Sequence, residues 1–442
     1  MRKSTLLVAA VVATIGIGLV TVPASVAGAV GATKLFVSPS ADIALNNNHH
    51  SCATAGYNTI SSAIAAAPAG STIVVCAGTY NERLSIGTAN LTLKASGIAI
   101  VRPTDATPNA TSHSSAEPTV AVVQVTPGTT GVTINGLVID GSGVASAIDG
   151  CSTEFAGVLL QATTGHNSSA TLANATVENT TPTNVGCGSG QGVYASTDNT
   201  GSSTATLSVS GSTISGFGKT GILCDELGTS CLIKSNSITT APSSLVAQNG
   251  VQLGFGAVGT VKENTISGVD WTAPDPGNPQ PQGNYGAAVL LYAAGISKSG
   301  VASSSVSVTH NVLTNDQIGV EAVDTATSAT NNTITETGAG IADSVGIYAV
   351  GCDEWCGYFS DVNGDLLNAV AASTQVVKVT NNTVNFGSTP SGSGGIWLGD
   401  DSWSADPGYG AFGPAGGEHV TVHNNAVSNA ALLVTIGGGA TI

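Results

Sequence analysis

GVEAVDTATSATNNTITE, residues 319–336, holds two short phrases that recur along the chain. The first is a Gly, then a β-branched or small residue, then alternating apolar positions. It returns as GVLL at 157, GVYA at 192, GILC at 221, GVQL at 250, GAAVLL at 286, GIYA at 346 and GIWL at 395. The second returns as NGLVI at 135, NATV at 174, SNSI at 235, ENTI at 263, HNVL at 310, NNTV at 381 and NNAV at 424. The two alternate. Runs of three to five apolar residues bounded by Gly, Asn and Ser are strands, and two or three strands in a unit of about 20 to 25 residues make one coil of a β-solenoid. The spacing closes to 21 residues between Asn311 and Asn332 and opens to 50 between Asn332 and Asn382, so insertions leave the coils at turns. Stacked at equivalent turns, Asn tolerates left-handed backbone geometry, and its amide can bond to the amide in the next coil. That ladder, rather than glycosylation or catalysis, is the expected work of these Asn.

Composition agrees with strands and tight turns. The 442 residues include 57 Gly and one Met, and only 9% are charged. At the N-terminus, Arg2-Lys3, an apolar run from Leu6 to Val22 and Ala27-Gly28-Ala29 follow the charged, hydrophobic and small-residue order of a secretory signal. Residues 1–29 are read as that signal and 34–442 as a single β-helix domain. Losing the signal removes Arg2 and Lys3 and no acid, leaving 9 Lys+Arg against 27 Asp+Glu, a balance of −18. Such a surface repels phosphates, which excludes nucleic acid as a partner, and no later segment is apolar enough to hold a membrane. Eight Cys in an exported chain read as disulfides. Proximity suggests Cys52 with Cys76, Cys151 with Cys187, Cys224 with Cys231 and Cys352 with Cys356, although connectivity does not follow from sequence alone.

YNTISSAIAAAPAGSTIVVCAGTYNERLSI, Tyr57 to Ile86, followed by NLTLKAS from Asn90, resembles the opening of right-handed parallel β-helix proteins of the pectin-lyase-like superfamily. The resemblance implies an all-β, right-handed parallel β-helix with a short N-terminal capping helix. Ile60, Ala63, Ile64 and Ala67 fall at the helical spacing such a cap needs. No comparable cap is visible in ALLVTIGGGATI at the other end. The superfamily spans lyases, hydrolases, esterases, epimerases and proteins without catalysis, so function rests on a site and not on the fold.

The acids fall in register with the repeat. Asp225 and Glu226 follow Gly221, Asp324 follows Gly319, Asp353 and Glu354 follow Gly346, and Asp400 and Asp401 follow Gly395, each four to eight residues on. Strands about 4.8 Å apart would set acids one coil apart near 5 Å and two coils apart near 10 Å, bracketing retaining and inverting glycosidases. Carboxylates that close raise one pKa or bind a cation. Aromatics gather with them: Tyr348, Trp355, Tyr358, Phe359, Phe386, Trp397, Trp403, Tyr409 and Phe412 are nine of the 19 aromatic residues. Rings stack on the apolar face of a sugar while acids bond its hydroxyls. Trp355, Trp397, Trp403, Tyr409, Asp324, Glu354 and His419 are accordingly the candidate substrate-binding residues.

Gly399-Asp400-Asp401 also resembles the Gly-Asp-Asp turn of polygalacturonase-type hydrolases. That resemblance implies Asp400 and Asp401 as general acid and water-activating base, Asp353 as third carboxylate, and His419, in GEHV, near the family's Gly-His-Gly position. The family's Arg-Ile-Lys motif does not follow; only Lys378 is nearby. A lyase usually draws its base from Arg or Lys, and Arg83 and Arg102, the only Arg after the signal, fall in the first coils, which disfavours a lyase. No cofactor is required. Asp361, Asn363 and Asp365 place oxygens at positions 1, 3 and 5 as calcium loops do, a candidate structural calcium site, while Leu366 and the missing Glu at position 12 exclude an EF-hand. The expectation is a secreted protein that binds an extracellular polysaccharide and hydrolyses it. Its rival is a non-catalytic cell-wall or surface protein, an adhesin or rigid spacer.

Overall fold

The computed structural model describes residues 32–40, 50–240, 247–269, 286–295, 306–323, 325–336, 344–350, 376–387, 394–399, 419–430 and 432–436. The signal segment, residues 1–29, and the pair Cys352 and Cys356 lie outside the described residues.

Each coil holds three strands, and like strands of successive coils pair in parallel. The coil Thr229–Lys234, Ser237–Thr239, Asn249–Gly254 stacks on Val258–Lys262, Thr265–Ser267, Ala287–Tyr292, and that on Val306–Thr309, Val312–Thr314, Ile318–Val323. Three strand stacks result, here called stacks 1, 2 and 3 in chain order. Stacks 1 and 2 diverge from one long strand, Thr92–Val101, whose first residues pair with Thr133 to Asn135 and whose last pair with Val138 and Ile139. Parallel strands joined by crossovers wind right-handed. The fold is a right-handed parallel β-helix: the coils are those expected from the repeat, and the architecture is the one the resemblance implies.

Alternation along each strand sends one set of side chains inward. Ile233, Ile238, Val251 and Leu253 from one coil meet Val261, Ile266, Val289 and Leu291 from the next, all with no exposure. The repeated Gly has a packing cause. A Cβ on Gly192 would lie 2.6 Å from the Gly221 carbonyl oxygen, one on Gly221 would lie 2.5 Å from that of Gly250, and one on Gly319 would lie 2.5 Å from that of Gly346. Ala288 is the one position in this column, between Gly157 and Gly395, that carries a methyl.

The Asn phrase divides its work between two neighbours. The first residue of each pair takes the left-handed conformation: Ser235 (φ 56°), Glu263 (57°), His310 (56°), Asn331 (59°), Asn381 (60°) and Asn424 (56°). The second forms the ladder. Asn236, Asn264, Asn311, Asn332 and Asn382 each pass an amide bond of 2.9–3.0 Å to the next oxygen in line, ending on Asn425. Each Nδ2 from Asn236 onward also donates to a backbone carbonyl, as Asn311 does to Val261 at 3.0 Å. Doublets such as NN at 331 and 381 therefore encode a turn and a buried bond, a division the sequence reading assigned to one residue.

The N-terminal helix spans Ile60–Ala66, buries Ile60, Ala63 and Ile64, and has Thr59 as its N-cap. Glu82 reaches from a neighbouring turn to accept from the backbone N–H of Ile60 (2.6 Å) and Ser61 (2.9 Å), satisfying two orphan donors with a charge of the favourable sign. Disulfides join Cys52 to Cys76, Cys151 to Cys187 and Cys224 to Cys231, three of the four pairings expected.

Candidate functional site

The position two residues after the Gly, or after Ala288 where that residue takes the Gly place, faces outward on stack 3. Pairing aligns Leu159, Tyr194, Leu223, Gln252, Leu290, Glu321, Tyr348 and Trp397 in one column running along the helix axis. Up to Leu223 this column is covered; from Gln252 to Tyr348 it is partly exposed.

Glu321 stands in the open half between Leu290 and Tyr348. Crowding strips solvent from its carboxyl and raises its pKa from 4.5 to about 7, with Lys219 pulling the other way. Lys219 immediately precedes the strand Thr220–Asp225, is itself desolvated and held below the usual lysine range, and donates from Nζ to the Ala247 carbonyl. Asn249 Nδ2 donates to Gln252 Oε1 at 2.9 Å, so the two amides act as one polar unit. Tyr348 and Trp397 meet edge to face, their centroids 6.1 Å apart. Trp397 is only 7% exposed and packs with Ala287, Ile318 and Val345, so it braces the ring of Tyr348, which offers the more open face. A carboxyl poised to hold or release a proton near neutral pH thus sits beside an aromatic platform, with a cation and two amides toward one end.

The covered half lies beneath residues 109–117. Ser114 Oγ and Tyr194 OH are 2.8 Å apart, Gln161 Nε2 donates to the Thr111 carbonyl at 2.8 Å, and Asn109 exchanges two bonds with the Ala121 backbone at 2.8 and 3.2 Å. Asp225 is 3% exposed at this end, and its Oδ1 has no hydrogen-bond partner. Gly254 leaves it room, since a Cβ there would lie 2.6 Å from that oxygen. Burial raises the Asp225 pKa from 3.8 to about 7. The protonated carboxyl is the form the fold accepts, so its stabilisation is full below the unfolded value of 3.8 and is lost as pH rises through 7. Asp225→Asn is therefore expected to melt above wild type at pH 8 and level with it or below at pH 4, a difference read from thermal melts. A gap that does not change with pH would contradict the buried, titrating carboxyl.

Of the residues expected from sequence, Trp397 lies on the column, and His419 opens the strand His419–His423 of stack 1. Asp324, Asp353, Glu354, Trp355, Asp361, Asn363, Asp365, Asp400, Asp401, Trp403 and Tyr409 lie outside the described residues. Val323, Val350 and Gly399, reached by successive pairings, share one register column with Asp225. Arg83 is paired with Asp105 and Arg102 with Asp140, each at 2.6 Å, while Lys378 is exposed on stack 1. Sequence reasoning missed Glu321, Lys219 and Gln252. The signal was in the phrase itself, whose third letter runs L, Y, L, Q, L, E, Y, W while its neighbours stay apolar. Among the described residues no three or more His, Cys, Asp or Glu converge as a metal site, and no helix is long and apolar enough to cross a membrane.

Fold and face together define a right-handed parallel β-helix with a polar and aromatic strip on one outer sheet. No family model matches the chain, and no curated protein matches it. Among solved structures it is similar to a surface adhesin of Streptococcus pneumoniae, with 13% identity and a TM-score of 0.42 over 85% of this chain and 87% of that one. It is also similar to the A-module of a mannuronan C-5 epimerase of Azotobacter vinelandii, with 12% identity and a TM-score of 0.38 over 87% of this chain and 93% of that one. Likeness at this level carries no argument about activity; the fold stands on the strand register itself.

Proposed function

We propose that this chain is an exported protein that lays an extracellular polysaccharide along the open strip of stack 3 and hydrolyses it. Glu321 donates the proton to the departing glycosidic oxygen. Asp400 and Asp401, which follow the strand bearing Trp397 directly in sequence, are the proposed water-activating carboxylates, with Asp353 assisting. One observation carries the reading: Glu321, its pKa near 7, is two residues from Gly319 in the same column as the Tyr348 and Trp397 pair. A general acid works best with a pKa near the operating pH, and an aromatic face next to it supplies a stacking surface for a sugar ring. The three disulfides fit an oxidising compartment.

Reducing-sugar release from polygalacturonate, xylan, mannan and alginate tests the activity, with binding measured on the same glycans. Tyr348→Ala is expected to weaken binding roughly tenfold, the scale of one lost aromatic contact. Binding without product on every glycan would favour the non-catalytic surface protein instead. Equal affinity of the Tyr348 variant would remove the strip as the binding site.

A further inference from the structure

We infer that the strip takes a polysaccharide by its end and not along its middle, because residues 109–117 form a wall across one end of it. The inference rests on the reading of the strip as the glycan site.

The column changes character within one strand step. Leu159, Tyr194 and Leu223 are 0%, 2% and 5% exposed, whereas the next residue in line, Gln252, is partly open, as are Leu290, Glu321 and Tyr348 beyond it. The cover is built into the fold. Ala110 packs on the cluster formed by Ala121, Ala156, Leu159, Tyr194 and Leu223, and the two-residue strand Ala110–Thr111 pairs antiparallel with the start of Pro118–Val125. Three successive strands then tie the segment down, through the side chains of Gln161 and Tyr194 and the backbone of Ala121.

A chain lying along the column, parallel to the helix axis, meets this segment at Leu223. The partly exposed part of the column, from Gln252 to Tyr348, spans three strand steps, about 14 Å, the length of a short run of sugars. Two of those steps, about 10 Å, separate Gln252 from Glu321. Gln252 follows the covered Leu223 directly in the column, and its amide, held by Asn249 Nδ2, together with Lys219 is the group that meets the terminal sugar, by amide and charge-assisted hydrogen bonds. A fixed distance from wall to acid means that every cut falls at the same distance from the chain end.

The test is the size of the first products from polygalacturonate, xylan, mannan and alginate at a few per cent conversion, with viscosity followed in parallel. One short product from the earliest time, at nearly constant viscosity, is expected. A ladder of sizes with a rapid fall in viscosity would overturn the wall and leave the hydrolytic reading standing. Where a glycan is bound but not cut, stoichiometry decides: protein bound per chain should stay constant as the chain is lengthened tenfold, and growth with length overturns the inference. Absence of binding to all four rejects both this inference and the reading beneath it. Replacing residues 112–117 by an Asn-Gly turn should lower the cover and convert the single product into mixed sizes. If that variant does not fold, the wild-type product pattern decides alone.

Discussion

Glu321→Gln is expected to lower glycan hydrolysis by a factor of about 100 to 10,000, the usual contribution of a positioned proton donor, while affinity changes only a few-fold. Gln keeps the shape and the hydrogen-bonding reach of Glu but has no proton to give. Wild-type turnover should fall as pH rises above 7, where Glu321 loses its proton, and the residual activity of the variant should lack that limb. The substitution itself moves stability opposite to turnover. Because the folded-state pKa is raised, the carboxyl contributes fully below its unfolded value of 4.5, and that contribution is lost through pH 7. The variant should melt no lower than wild type at pH 8. Turnover within threefold of wild type would remove Glu321 from the chemistry, and a large drop in melting temperature at pH 8 would mean the site had been disturbed instead.

Asn311→Ala carries the largest expected stability loss. The Asn311 side chain accepts from both the backbone N–H and the amide of Asn264 and donates to Asn332 Oδ1 and the Val261 carbonyl, all at 3.0 Å. Asn311 is 1% exposed, as is Asn264, so water does not replace the lost partners. Leaving several buried groups unmet costs about 1–3 kcal/mol each, and a total of about 4 kcal/mol is expected from urea unfolding. Solenoid stability is close to a sum over neighbouring coils, so the loss should be local. Hydrogen exchange should quicken at Asn264, Asn311 and Asn332 well before it changes near the helix Ile60–Ala66. A loss under 1 kcal/mol would show that the ladder decorates the turn without holding it.

Much of the architecture can be read from the letters because a solenoid repeats its constraints. Gly at 192, 221, 250 and 319 recurs because the same carbonyl approaches in every coil. The doublet at 331 and 332 recurs because one backbone twist and one buried amide bond are required at each turn. Counting residues onward from each Gly grouped Asp225 with Asp324, Asp353 and Asp400, whereas the strand register aligns it with Val323, Val350 and Gly399. Burial is where that reading stops, since Asp225 looks like any turn acid until residues 109–117 are seen to bury its surroundings. Those residues belong to an insertion rich in Pro, Ser and Thr that follows no repeat, so nothing in their order announces which face they cross. Glu321 was hidden for the opposite reason. It sits inside the repeat, two places from its Gly, where the eye takes it for one more strand residue; only the pairing with Tyr348 shows that it shares a face with the aromatics.

Successive coils lie in register, so that residues far apart in number are neighbours across one strand step. Thr265 and Val312, 47 positions apart, are directly paired on stack 2 and both point to solvent, whereas Thr333 lies one further step away. Pyrene attached to Cys placed at 265 and 312 should give strong excimer emission, and the pair at 265 and 333 should give little. Absence of excimer from the 265 and 312 pair in folded protein would contradict the register, and with it the alignment of Gln252, Glu321 and Tyr348 on one strip.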